Sequence, residues 1–408
     1  MPFRSSLARS AGKLLGVFKE SDLSLRGATQ STRYYRAPYS GDIALAHYSD
    51  PCISVYPWTS GTGFGTKYSD PSTKPGWGIA VDFSPDGADI AIAHNSSPHV
   101  AAYAWSSGFG TKYSNPSTLP AGFGTGVEFS PDGADIAVAH WTSPYISVYP
   151  WSSGFGTKYA NPSTLPPWYC MGVTFSPDGA DISVAHYVSP YLSVYPWSSG
   201  FGTKYANPAT LPASYSKGVA FSPDGADLAV AHESSPYISV YPWSSGFGTK
   251  YANPATLPTG GGRGVTFSPD GADIAVAHDV SPRVSVYPWS SGFGAKYADP
   301  STLPGNDGKA IAFSPDGADL AVGHYISPYV TAYPWSSGFG TKYANPATLP
   351  AGTGKGVAFS PDGADLAVGH DSSPRVSVYP WSSGFGTKYA NPSTLPTGNG
   401  KRVAFSPA

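Results

Sequence analysis

The chain is short of charge. Only 12% of its 408 residues are Asp, Glu, Lys or Arg and the formal net charge is -2, so no global field points to nucleic acid or an anionic membrane as partner. Cysteine is nearly absent, and Cys52 and Cys170 fall at non-equivalent places, which gives neither a disulfide framework nor a zinc-ligand spacing. No apolar run approaches a membrane span, and the N-terminal "LLGVF" is too short for a secretory signal core, so membrane insertion is not expected. What is abundant is turn chemistry together with aromatic mass: 48 Gly and 42 Pro beside 11 Trp, 28 Tyr and 19 Phe. A disordered chain this rich in Gly and Pro would be poor in rings, so the composition reads as a turn-rich folded protein.

The rings belong to a repeat. "FSPDGAD" starts at Phe83 and returns at Phe129, Phe175, Phe221, Phe267, Phe313 and Phe359 with a constant interval of 46 residues, and "FSPA" follows at Phe405. His47, His94, His140, His186, His232, His278, His324 and His370 form a parallel series, so there are eight units. Within a unit, "GVEFS" predicts a short strand a, and "PDG" a hairpin turn in which Pro sets φ and Gly accepts a positive φ. "ADIAVAH" predicts strand b, with Ile136, Val138 and His140 on one face and Ala137 and Ala139 on the other. "YISVYPW" predicts strand c, ending near Pro150, and "GTKYANP" a short outer strand d.

Four short strands in each of eight units predict an all-β, eight-bladed β-propeller over residues 37–408 rather than a parallel β-solenoid. The first unit opens on strand b at "SGDIALAH", and its missing strand a is supplied by "RVAFSPA" (Arg402 to Ala408). Pairing the two closes the ring and makes the last strand a latch. "GVEFSPDGADIAVAH" followed by "ISVYPW" resembles the a, b, c run of the WD-repeat and related propeller families. "YPW" stands where those repeats have Trp-Asp, so their hydrogen-bond tetrad is not carried over.

Residues 1–36 form a separate basic arm. Arg4, Arg9, Lys13, Lys19, Arg26, Arg33 and Arg36 face only Glu20 and Asp22, a local +5 against -7 for the remainder. The arm is expected to dock or anchor the propeller through Leu7, Leu14, Leu15, Val17 and Phe18 and its arginines. "MPFRSSLARSAGKLLGVF" and "DLSLRGATQSTRYY" are similar to leaders on virion proteins of marine tailed phages, which implies a virion protein whose partners are other virion subunits.

Most chemical candidates are weakened by their own multiplicity. Eight histidines one strand out from the axis are too far apart to share a metal, so each is expected to hydrogen-bond in its own blade, for instance to the Ser of "SP". The Asp pair of "DGAD" (Asp86 and Asp89) reads as turn capping, and "GFGTK" lacks the ending of a phosphate loop. No metal, cofactor or catalytic set is expected, and the chain is read as non-enzymatic.

Near-identical units differ in two windows, one flanking "SP" and one preceding strand a, which an a, b, c, d meander places on the same face. The ligand-binding face is therefore assigned to Trp77, Phe123, Trp141, Tyr145, Trp168, Tyr169, Tyr187, Tyr191, Tyr215, Tyr237, Arg263, Arg283, Tyr325, Tyr329 and Arg375. Aromatic side chains crowd the first half of the ring, and Arg263, Lys309, Lys355, Lys401 and Arg402 the second. Rings beside polar and basic groups suit a sugar's apolar face and its hydroxyls or acidic substituents, or a protein hot spot. The expected function is display of this face on a phage particle to bind a host-surface glycan or another virion subunit. A protein-interaction scaffold in the cytoplasm is the alternative.

Overall fold

The structure, a computed structural model, describes residues 39–407, so the arm expected over residues 1–36 lies outside the described residues. All secondary structure within them is β, arranged as eight repeated antiparallel sheets consistent with an eight-bladed propeller. Sheet 1 has the order a (Gly400–Phe405), b (Ser40–His47), c (Ile53–Thr59), d (Gly63–Phe64), so the C-terminal strand pairs with the first one, as expected. Strands a of consecutive sheets are mutual neighbours around the whole set, with Gly400–Phe405 lying between those of sheets 8 and 2.

The alternation in strand b does what its two faces allow. Ile136 and Val138 join Val127, Phe129 and Tyr149 in a core against sheet 2, while Ala137 and Ala139 receive Val173, Phe175, Ile182 and Val184 of sheet 4. A bulky face thus packs on the small face of its neighbour, and eight such cores join each sheet to the next, including the eighth to the first. Small side chains on one face let the sheets approach closely at native packing density.

Four strands per sheet was the expectation, and only sheets 1 and 2 have them. Elsewhere the outer segment makes one isolated bridge, such as Trp151 to Phe155, and then runs beside strand c with Tyr159 N donating to Val148 O at 3.0 Å. In these six sheets a proline closes strand c and withholds one N–H from the ladder, although sheet 1, with Pro57 there, still forms the two-residue strand Gly63–Phe64. In sheet 2 that position is Ala104, and there Phe109–Lys112 is a true fourth strand.

"DGAD" also divides its labour. Asp132 caps its turn as expected, accepting from Ser130 Oγ at 2.6 Å and Ala134 N at 3.0 Å. The second Asp is not a turn cap: Asp135 is buried at the start of strand b and accepts from Tyr159 OH of its own sheet at 2.8 Å and from Trp197 Nε1 of the next at 2.8 Å. That tryptophan is ringed edge-on by Tyr159, Phe175 and Phe201 at 5.0–6.1 Å. The same clamp recurs at every junction, and at the eighth Asp365 accepts from Trp58 Nε1 at 2.9 Å and Tyr389 OH at 2.8 Å.

Removing the carboxylate leaves a buried indole N–H and a phenol unpaired. Asp227→Ala, which breaks bonds of 2.9 Å to Tyr251 OH and 2.7 Å to Trp289 Nε1, is expected to lower stability by about 3 kcal/mol in urea unfolding. Asp224→Ala at the neighbouring turn cap should cost only about 1 kcal/mol.

Candidate functional site

The two variable windows lie together, as their placement on one face requires. Trp77 N donates to Asn95 Oδ1 at 2.8 Å, joining the segment before strand a to the residue after the histidine of the same sheet. The b-to-c loops are held firmly. Tyr145 N donates to Thr142 O at 2.8 Å while Tyr145 O accepts from His140 N at 2.9 Å. Tyr145, Tyr191, Tyr237, Arg283, Tyr329 and Arg375 all adopt φ of 67–74°, a left-handed conformation that L side chains rarely take. Their side chains are half-buried, and Tyr145 packs against the core between sheets 3 and 4.

Phe123, Trp141, Tyr169, Tyr187 and Tyr215 assemble into a column running across sheets 3 to 5. Phe123 stacks on Trp141 at 4.7 Å, Trp141 meets Tyr169 at 5.4 Å, and Tyr169 stacks on Tyr187 at 5.1 Å. Tyr187 then stacks on Tyr215 at 4.4 Å, and Lys217 Nζ lies 5.2 Å from the Tyr215 ring centroid. Rings in the middle of the column cover one another's faces. Trp141 and Trp168 remain 50% and 48% exposed, and Trp77, stacked on Tyr48 at 5.7 Å, 54% exposed.

Beyond Tyr215 the face turns ionic. Lys217 pairs with Glu233, and Arg263 reaches Glu233 at 3.6 Å and Asp279 at 2.6 Å. Lys309 pairs with Asp307 at 3.3 Å and lies 5.6 Å from the ring of Tyr325, and Lys355 pairs with Asp371 at 3.4 Å. Arg283 and Arg375 donate to the main-chain oxygens of Asp279 and Asp371. Lys217, Arg263, Lys309 and Lys355 each have a carboxylate partner, so the basic half carries less field than its lysines and arginines alone suggest.

The histidines bond within their own sheets, as expected, but to a different serine. His140 Nε2 meets Ser147 Oγ on strand c at 3.0 Å, and its Nδ1 the main-chain oxygen of Thr142 at 2.7 Å. In sheet 2 the serine position is Ala101, and His94 Nε2 is left without a partner. Burial holds all eight rings down at about 4. Among the described residues no group of three or more His, Cys, Asp or Glu could hold a metal ion.

One set of residues was missed. The position before the Phe of strand a reads Asp82, Glu128, Thr174, Ala220, Thr266, Ala312, Ala358 and Ala404 across the eight sheets, on strands that neighbour one another. Asp82 Oδ2 accepts from Phe129 N at 2.9 Å, and Glu128 Oε1 from Phe175 N and Thr174 Oγ1 at 3.1 Å each. Each acid thereby caps an edge amide of the next innermost strand. Burial pushes Asp82 up to about 6, and burial with the Asp82 charge pushes Glu128 up to about 8. Arg402, which the pattern placed on the varied face, is near enough to oppose both shifts and stands where the other sheets carry Ala or Gly. Two neighbouring carboxyls of different acidity are the raw material of acid–base chemistry. Comparing the eight copies at this one position would have found them.

Neither a protein-family model nor a curated protein matches the sequence. Solved structures do share the fold. A 6-phosphogluconolactonase-like protein from Bacteroides uniformis is 17% identical, with 90% of this chain and 99% of that one covered and a TM-score of 0.58. A second from Bacteroides fragilis is 14% identical, covering 93% and 99% with a TM-score of 0.59. The periplasmic gluconolactonase of Pseudomonas aeruginosa is 17% identical, covering 90% and 99% with a TM-score of 0.54. The expectation that this chain is not an enzyme is overturned by these neighbours, since the fold it shares with them is one that gluconolactonases use.

The buried titratable groups set a pH dependence. The histidines are held below their ordinary 6.5, so the unfolded chain binds more protons between pH 6.5 and 4 and stability falls as pH drops through that range. Asp82 and Glu128 are raised and act in the opposite sense, but two carboxyls oppose eight imidazoles. Unfolding midpoints are therefore expected to fall steeply below pH 6.5. Glu128→Gln, which no longer ionises against burial, should melt above the parent at pH 8.5 and match it near pH 4.5.

Proposed function

We propose that the eight sheets form a closed eight-bladed ring, latched by Gly400–Phe405, whose b-to-c and d-to-a face binds a carbohydrate. The observation that carries this reading is the aromatic column from Phe123 to Tyr215, in which Trp141 is half-exposed and held by a main-chain bond to Phe123 O, with the half-exposed Trp168 beside Tyr169. Exposed indole faces stack on the apolar face of a pyranose, and loops fixed before binding lose little entropy when it arrives. Because four of the six cations across the face are paired with carboxylates, a neutral host-surface glycan is favoured over a strongly acidic one. The setting we propose is a phage particle, supported by the likeness of the N-terminal arm to virion leaders.

Full-length protein on a broad glycan array is expected to bind a restricted set of neutral glycans. Trp141→Ala with Trp168→Ala, shown to be folded by an unchanged melting curve, should weaken that binding about tenfold or more. A folded parent that is silent on the array, or a double variant that binds as well as the parent, defeats the assignment. The virion setting is checked separately by mass spectrometry of purified particles.

A further inference from the structure

Three ionisable side chains of the innermost strands come near one another without touching. Arg402, Asp82 and Glu128 stand on three consecutive innermost strands, Gly400–Phe405, Gly78–Phe83 and Gly124–Phe129, each the neighbour of the next. Arg402 is exposed and, among the described residues, forms no ion pair or hydrogen bond with either carboxylate, although its charge acts on both. Each carboxylate gives one oxygen to an edge amide, Asp82 Oδ2 to Phe129 N and Glu128 Oε1 to Phe175 N, which leaves Asp82 Oδ1 and Glu128 Oε2 outside those bonds. The other sheets carry Ala or Thr at this level, so the charged set occupies one sector among otherwise small side chains.

We propose that this sector is a binding site for a small zwitterion, a molecule carrying an ammonium and a carboxylate, as a free amino acid does. Its carboxylate meets the Arg402 guanidinium, whose planar fork suits two-point contact. Its ammonium supplies N–H donors to Asp82 Oδ1 and Glu128 Oε2, the oxygens that the edge amides leave out. A bare amine would leave Arg402 uncompensated, and a bare carboxylate would face two acids. A neutral sugar would leave the opposite charges apart.

Binding is coupled to a proton. Burial and the Asp82 charge hold Glu128 toward its protonated form, and an arriving ammonium favours the ionised form, so binding drives the carboxyl proton out to buffer.

The test is isothermal titration calorimetry of the full-length chain at pH 7.5 in two buffers of different ionisation heat. The probes are glycine, 4-aminobutyrate and 6-aminohexanoate, with methylamine and acetate as half-ligands. One member of the zwitterion series is expected to bind one-to-one, about tenfold or more tightly than either half-ligand, with proton release that disappears in Glu128→Gln. Arg402→Gln and Asp82→Asn should each weaken it about tenfold. Glu128→Gln retains an acceptor for Phe175 N, and melting curves show that each variant is folded. Failure of the whole series to bind, binding untouched by all three substitutions, or methylamine binding as tightly as the best zwitterion overturns the proposal.

Discussion

One buried carboxylate per sheet ties this molecule together. The Asp at the head of strand b accepts from a tyrosine of its own outer segment and from the tryptophan of the next sheet, as Asp181 does with Tyr205 OH at 2.8 Å and Trp243 Nε1 at 2.7 Å. Each tryptophan is then caged edge-on by three rings. The hydrophobic cores hold adjacent sheets at the right distance, but they are not directional. The clamp is, and it fixes how far one sheet slides along the next. A ring of near-identical units needs such a device at every junction, because a small error repeated around the set would open a gap.

That regularity separates scaffold from variation. The histidine, the serine of strand c and the clamp aspartate recur with little change, and differences collect on one face and on a few neighbouring innermost strands. Main-chain hydrogen bonds, not the side chains they present, hold the b-to-c loops, so Tyr145, Arg283 and Arg375 occupy equivalent sites on the same backbone. The two places are chemically different: aromatic contact across sheets 3 to 5 in one, separated charges in the other.

Much of the architecture was legible because period and alternation carry it. The interval of 46 residues, the two faces of "ADIAVAH" and the strand a shared between the ends of the chain all found their counterparts. The clamp was not legible. Nothing in "DGAD" distinguishes an aspartate that caps its own turn from one that reaches a tryptophan 62 residues away. The fourth strand was over-read for a similar reason, since "GTKYANP" has the look of a strand while Pro150 withholds one N–H from its ladder. At the site, the variable loops stood out by contrast among copies, whereas Asp82 and Glu128 sat inside a strand whose neighbouring residues scarcely change.

The proline at the end of strand c has a meaning beyond blade geometry. An outer segment that hydrogen-bonds only intermittently offers other molecules a poor template for strand addition, and six sheets end in that way. Sheet 2, with Ala104 in the proline's place, exposes a four-residue strand, Phe109–Lys112, whose free edge can continue a ladder. Lateral growth through strand pairing is thus favoured at the adjacent sheets 1 and 2, where Gly63–Phe64 and Phe109–Lys112 are the outer strands, the second being the longer. Two molecules joined edge to edge there have used up that edge, and the association stops at a pair rather than extending into a fibre.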